Sequence, residues 1–111
     1  MAKISFIIPV FNDSTGLEQY CKGIAQWFGK DAEVLIIDDG SAQATAAACD
    51  EIGQKYEIAC VYHQENHGVS AARNRGIALA QGSFLVFLDG DDSIDAEKLY
   101  DSWQPDAADG C

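Results

Sequence analysis

Asp89, Asp91 and Asp92 stand within four residues of one another, at the exit of the apolar run FLVFLD (84–89). Carboxylates crowded together in a poorly solvated place repel unless something neutralises them. Mg²⁺ or Mn²⁺ does so, held by one or two carboxylates together with phosphate oxygens. An ion held at this cluster would bridge a diphosphate and stabilise the charge it develops as a leaving group. The plainer alternative is a turn whose aspartates serve as caps and solvating groups. Asp38-Asp39-Gly40-Ser41 has the same layout after a second apolar run, EVLIIDD (33–39). A carboxylate there can accept hydrogen bonds from a nucleobase N–H or from ribose hydroxyls. In the same segment Gly40 is suited to a turn, and Ser41 to capping the next helix.

Other polar residues are less specific. His63 and His67 are four apart with Glu65 between them, but the pattern is not H-E-x-x-H, and Gly68 disfavours a helix through both. A polar loop is the expectation, not a zinc site. Arg73 and Arg75 could reach a phosphate, or equally pair with the surplus of acids. Neither G-x-G-x-x-G nor a Walker A sequence occurs.

These groups need elements to hold them. Ile4–Val10, Glu33–Asp39 and Phe84–Asp89 are almost continuously apolar, as strands buried on both faces of a parallel sheet must be. Ile58–His63 reads as a weaker strand between the second and third. Leu17, Tyr20, Cys21, Ile24, Trp27 and Phe28 fall at helical spacing, and Thr15 with Glu18 has the spacing of a capping box. A second helix is expected over Ala44–Tyr56. A third is expected over Ser70–Gln81, capped by Ser70 and closed by Gly82. Asp95 is suited to cap a fourth, with Ile94 and Leu99 as a hydrophobic staple. Alternating strands and helices predict a doubly wound α/β fold with a mostly parallel sheet and helices on both faces. Such sheets bind ligands outside the carboxyl ends of their strands. Asn12 and Asp13, Asp38 to Ser41, His63 to Gly68, and Asp89 to Asp92 all fall at such ends.

The chain has 111 residues, 48% hydrophobic, and carries a formal charge of −11 from 18 acids against 7 bases. That balance excludes a surface built for nucleic acid or an anionic membrane. Eight acids and a single base, Lys98, lie between Asp89 and Cys111. Cys21, Cys49, Cys60 and Cys111 lack metal-ligand spacing and are expected to be reduced and buried, with Cys111 an exposed end. No apolar stretch approaches the ~20 residues that span a bilayer, and no signal segment opens the chain. A cytoplasmic location is the expectation, with membrane association open for a longer form.

Taken in order, ISFIIPVFN, VLIIDDGS, NHGVSAARNRGIALAQG and FLVFLDGDD resemble the family 2 glycosyltransferases of GT-A fold, over essentially the whole chain. The resemblance implies a nucleotide-diphospho-sugar donor, a UDP-sugar favoured, and Mn²⁺ or Mg²⁺. It implies transfer with inversion to a carbohydrate or lipid-linked acceptor, as in polysaccharide biosynthesis. Pro9, Val10, Phe11 and Asn12 match the loop that embraces the nucleobase, with Phe11 packing on it. Asp39 matches the acid that reads the base edge, with Asp38 beside it. Gly68 and Arg73 belong to the segment flanking the nucleotide. Asp89 and Gly90 open the D-x-D motif, Asp89 facing the ribose, and Asp91 with Asp92 matches the metal-holding acids. The family's general base lies in a further stretch, so no catalytic base is assigned. Residues 1–103 are expected to form the donor-binding part and 104–111 a frayed, disordered tail.

Two rivals differ in class. A haloacid-dehalogenase-like phosphatase also uses a strand followed by D-x-D, but there the motif opens the catalytic domain instead of coming last. A truncated donor-binding half could alternatively persist as a binding or interaction remnant, self-associating through an uncovered sheet edge.

Overall fold

A computed structural model describes residues 2–89 and 95–103. Four strands, β1 (Ile4–Val10), β2 (Ala32–Asp39), β3 (Ala59–Gln64) and β4 (Phe84–Phe87), alternate with helices α1 (Leu17–Phe28), α2 (Gln43–Lys55), α3 (Val69–Leu79) and α4 (Ala96–Ser102). The sheet order is β3-β2-β1-β4, and every pairing is parallel. The chain winds outward through β2 and β3, then returns to the far side of β1. Reversal beside β1 creates the switch point at which open α/β sheets bind ligands.

Side chains alternate across the sheet. Ile4, Phe6, Ile8 and Val10 of β1, with Val34 and Ile36 of β2, meet α1, α2 and α4 in the larger core. Ile7, Leu35 and Ile37 face the other way, onto Ala72 of α3. Gly76 lets α3 lie that close, since a Cβ there would meet Ile7 Cγ2 at 2.4 Å. An edge-to-face contact of Phe6 with Phe28, extended to Tyr100 and Trp103, fastens α4 to α1. At the edge, β4 leaves Phe84 and Phe87 exposed.

Most elements fall where the residue pattern puts them, but several boundaries differ. The Thr15 hydroxyl bonds to Asp13 instead of capping α1, and Glu18 reaches across to Lys55 and Tyr56. Ser41 does not cap α2; Ala42 occupies that position. Gly68, not Ser70, precedes α3, which ends at Leu79 with extended Ala80 as its cap. Gly82 is therefore not a helix stop. Its N–H donates to Ser5 Oγ at 2.9 Å, and a Cβ would run into the Ile4 backbone at 2.9 Å. Strand β4 stops at Phe87, two residues short of the expected Asp89. Asp95 does cap α4, accepting from the Lys98 amide. Its expected staple partner Ile94, and the tail 104–111, lie outside the described residues.

Cys21 and Cys49 are buried, and burial pushes their thiols up to about 12 and about 11 respectively. Cys60 departs from expectation, because β3 is an edge strand and leaves it exposed. Among the described residues no helix is long and apolar enough to cross a membrane.

Candidate functional site

The two acids of the DDGS segment are neighbours in sequence and point to opposite faces of the sheet. Register sets their partners: Asp38 lies opposite His63, and Asp39 opposite Gln64.

Asp39 turns towards α3 and is 4% exposed. Its Oδ1 accepts from Gln64 Nε2 at 2.9 Å and from the His67 amide at 2.9 Å, and its Oδ2 accepts from the Gly68 amide at 3.0 Å. Burial would raise this carboxyl, but the three donors outweigh it and hold it below the usual carboxylate range. The last two donors are amides at the start of α3, where a helix favours negative charge. A carboxylate offers about four acceptor positions, so one on Oδ2 remains beside those that the described residues fill. Asp39 lines a cleft of about 360 Å³ with Pro9, Val10, Phe11, Asn66, Gly68 and Val69. The Phe11 ring stands 53% exposed at this cleft. An aromatic face beside an acceptor for one N–H is the chemistry that a flat heterocycle requires.

Asp38 turns the other way, towards α2, and does not line the cleft. Its Oδ1 accepts from the Ser41 amide at 3.0 Å, and its Oδ2 lies 2.7 Å from His63 Nδ1. Burial works to raise this carboxyl, yet bonds to Ser41 and His63 lower it overall. His63 Nε2 in turn lies 2.7 Å from Asp50 Oδ1. The two carboxylates, Asp50 foremost, raise His63 above the usual 6.5. Gly40, at φ +77°, makes the turn between β2 and α2; a Cβ there would strike the Asn66 amide at 2.7 Å.

Asn12 takes the left-handed conformation at φ 57°, which asparagine tolerates better than most residues. Its amide donates to Ser41 Oγ at 2.8 Å, and its Oδ1 accepts from the Ala42 amide at 2.7 Å. Asn12 thus ties the Phe11 loop to the turn after β2. These bonds also explain why Ser41 is not a helix cap.

At the exit of β4, Arg73 Nη2 donates to Asp89 Oδ1 at 2.8 Å, and the Tyr20 hydroxyl donates to the Asp89 carbonyl at 2.7 Å. Arg75 is used differently: its guanidinium bonds the His63 carbonyl at 3.2 Å and lies over the Tyr62 ring. Arg73 also lines a second cleft, of about 370 Å³, with Ser70, Asn74, Ile77 and Phe87. The first acid of the triplet therefore already has a protein cation beside it; its two companions in sequence are Asp91 and Asp92. Those two and Gly90 lie outside the described residues. Among the described residues no cluster of three or more His, Cys, Asp or Glu could hold a metal.

Of the residues predicted from sequence, Pro9, Val10, Phe11, Asp39 and Gly68 meet in one cleft. Asn12 and Asp38 buttress it from outside, and Arg73 with Asp89 stands at the neighbouring strand end. Sequence reasoning placed Gln64 and Asn66 only within the polar stretch after the third strand, without roles of their own, and missed Val69. A strand register pairing Asp39 with Gln64 was the signal that could have found the first.

An open parallel sheet with a cleft at the carboxyl ends of β1 and β2 defines an open-sheet α/β protein. The chain matches the family model described as Glycosyl transferase family 2 over residues 5–110, and it belongs to that family. It is 34% identical over 110 residues to a cholesterol galactosyltransferase of Borreliella burgdorferi, covering 96% of this chain and 31% of that protein. It is 33% identical to the putative glycosyltransferase EpsH of Bacillus subtilis, covering 85% of this chain and 27% of that one. The solved structure of residues 1–349 of S. aureus TarS superposes with a TM-score of 0.76 at 28% identity, covering 90% of this chain and 31% of that 1–349 chain. The chain thus spans about a third or less of these relatives. The resemblance in family and fold is borne out, and the phosphatase reading gives way to it.

Proposed function

We propose that the chain is the donor-binding part of a glycosyltransferase, and that it holds a nucleotide-diphospho-sugar in the cleft between Phe11 and Asp39. One observation carries this reading: an exposed aromatic ring and a buried carboxylate with a spare acceptor position share a cleft at the carboxyl ends of β1 and β2. The base stacks on Phe11 and gives an N–H to Asp39, a UDP-sugar being favoured. Arg73 and Asp89 flank the ribose and diphosphate. Asp91 and Asp92 would hold Mn²⁺ or Mg²⁺, which when bound would neutralise charge on the diphosphate.

Asp38 and Asp39 are not the general base of transfer. Both are held below the usual carboxylate range, and a weakened base takes up an acceptor's proton poorly. Inversion, the carbohydrate or lipid-linked acceptor, a place in polysaccharide biosynthesis and a cytoplasmic location belong to this same proposal for the whole protein.

Calorimetric titration with UDP, GDP and dTDP, each with Mg²⁺, Mn²⁺ or EDTA, tests it. Binding is expected to require the metal and to weaken strongly in Asp91→Ala. Equal affinity in EDTA overturns the metal's role, and no binding of any of the three overturns the donor reading.

A further inference from the structure

The His63 imidazole lies between two carboxylates, and neither contact belongs to the cleft. Nδ1 is 2.7 Å from Asp38 Oδ2 and Nε2 is 2.7 Å from Asp50 Oδ1. Ionised carboxylates only accept, so both ring nitrogens must donate, and only the imidazolium has two N–H groups. A neutral ring would turn one lone pair onto a carboxylate oxygen. The groups facing His63 come from each packed element: Asp38 from β2, Asp50 from α2, and Arg75 from α3, which meets only the His63 carbonyl. Asp38 is 2% exposed, so it is poorly served by water if the ring leaves. The His63 side chain is 42% exposed, so the ring has solvent to leave into.

Bonds continue from there to the cleft. Asp38 Oδ1 takes the Ser41 amide, Ser41 Oγ takes the Asn12 amide, and Asn12 Oδ1 takes the Ala42 amide. Asn12 sits in a left-handed conformation, which persists only where its surroundings enforce it. The next residue back is Phe11.

We propose that His63 is a positioning residue, whose protonated ring clamps Asp38 of β2 to Asp50 of α2 and so holds the Phe11–Asn12 loop in its binding shape. Loss of that proton loosens the turn after β2 and weakens nucleotide binding at a cleft the imidazole never touches. This rests on the donor-binding reading for its consequence, but not for the clamp itself. The raised affinity of His63 for its proton agrees with the geometry.

Two measurements separate these parts. The first is an NMR titration of the histidine resonances, with His63→Gln identifying the His63 signal. The imidazole should titrate above 6.5 in the wild type and move down in Asp50→Asn. Amide-exchange protection at Asn12, Ser41 and Ala42, taken relative to His63→Gln, should fall as the ring deprotonates. Titration at or below 6.5, or protection that tracks the variant at every pH, overturns the clamp.

The second is calorimetry with UDP and Mg²⁺ from pH 6 to 9. Wild-type affinity should fall about three- to tenfold more than that of His63→Gln, the size of one partly exposed charge-assisted hydrogen bond. Titration of the diphosphate itself is common to both proteins and cancels. Parallel profiles overturn the link from clamp to cleft. Absence of UDP binding at any pH instead sinks the donor reading, while amide exchange still decides the clamp.

Discussion

Replacing Asp39 by asparagine removes one oxygen and the charge while keeping size and shape. The new side chain would keep its oxygen where two donors converge, from Gln64 Nε2 and the His67 amide. Its NH₂ would then face the Gly68 amide, which now donates to Oδ2 at 3.0 Å. An opposed and unpaired backbone N–H costs about 1–3 kcal/mol, and the two remaining bonds fall from the charged to the neutral class, roughly 1 kcal/mol each. Entry of water from the open cleft recovers part of this, leaving a loss of about 2–4 kcal/mol. Urea unfolding followed by circular dichroism measures it. At a slope of ~1–3 kcal/mol/M the midpoint should drop by about 0.7 M or more with the slope unchanged. An unfolding free energy within ~0.5 kcal/mol of the wild type, the range of an ordinary surface change, would refute the reasoning that Asp39 holds the start of α3.

Two further outcomes follow from packing and charge. Gly76→Ala should destabilise by about 1–3 kcal/mol in the same assay, because its methyl would sit 2.4 Å from Ile7 Cγ2; no loss would mean that α3 moves away at little cost. Stability should also depend on pH at both ends. Asp38 and Asp39 are lowered, so their contribution is present above the unfolded carboxylate value near 3.9 and fades as pH falls through the lower folded values. His63 is raised, so its contribution is complete below 6.5 and is lost as pH rises through the higher folded value. Urea midpoints should therefore be highest from about pH 5 to 6.5, and His63→Gln should abolish the loss on the alkaline side alone.

The fold was largely legible because its two central strands are buried on both sides. Ile4–Val10 and Glu33–Asp39 read as apolar runs, the second one residue short of β2, and Leu17, Tyr20, Cys21, Ile24 and Phe28 mark the buried stripe of α1. Helix ends were less legible because distant partners claimed the capping residues. Ser41 is taken by Asn12, 29 positions earlier, and the start of α3 is held by Asp39 instead of by Ser70. In the site, the DDGS acids were visible, but their division of labour was not. Period-two alternation sends Asp38 and Asp39 to opposite faces, and only the register with β3 shows that His63 awaits one and Gln64 the other. His63 read as the end of a strand leading into a polar loop, and its role was hidden because its partners Asp38 and Asp50 are not near it in sequence.

The central claim is that a nucleoside diphosphate sits between Phe11 and Asp39, and amide chemical-shift mapping with UDP and diamagnetic Mg²⁺ tests it most directly. The account predicts saturable shifts at Phe11, Asp39, Asn66, Gly68 and Val69, fading in Phe11→Ala, with Lys30 and Glu57 at the opposite ends of the strands unmoved. Shifts centred away from that cleft, or none at saturating UDP and Mg²⁺, would contradict it.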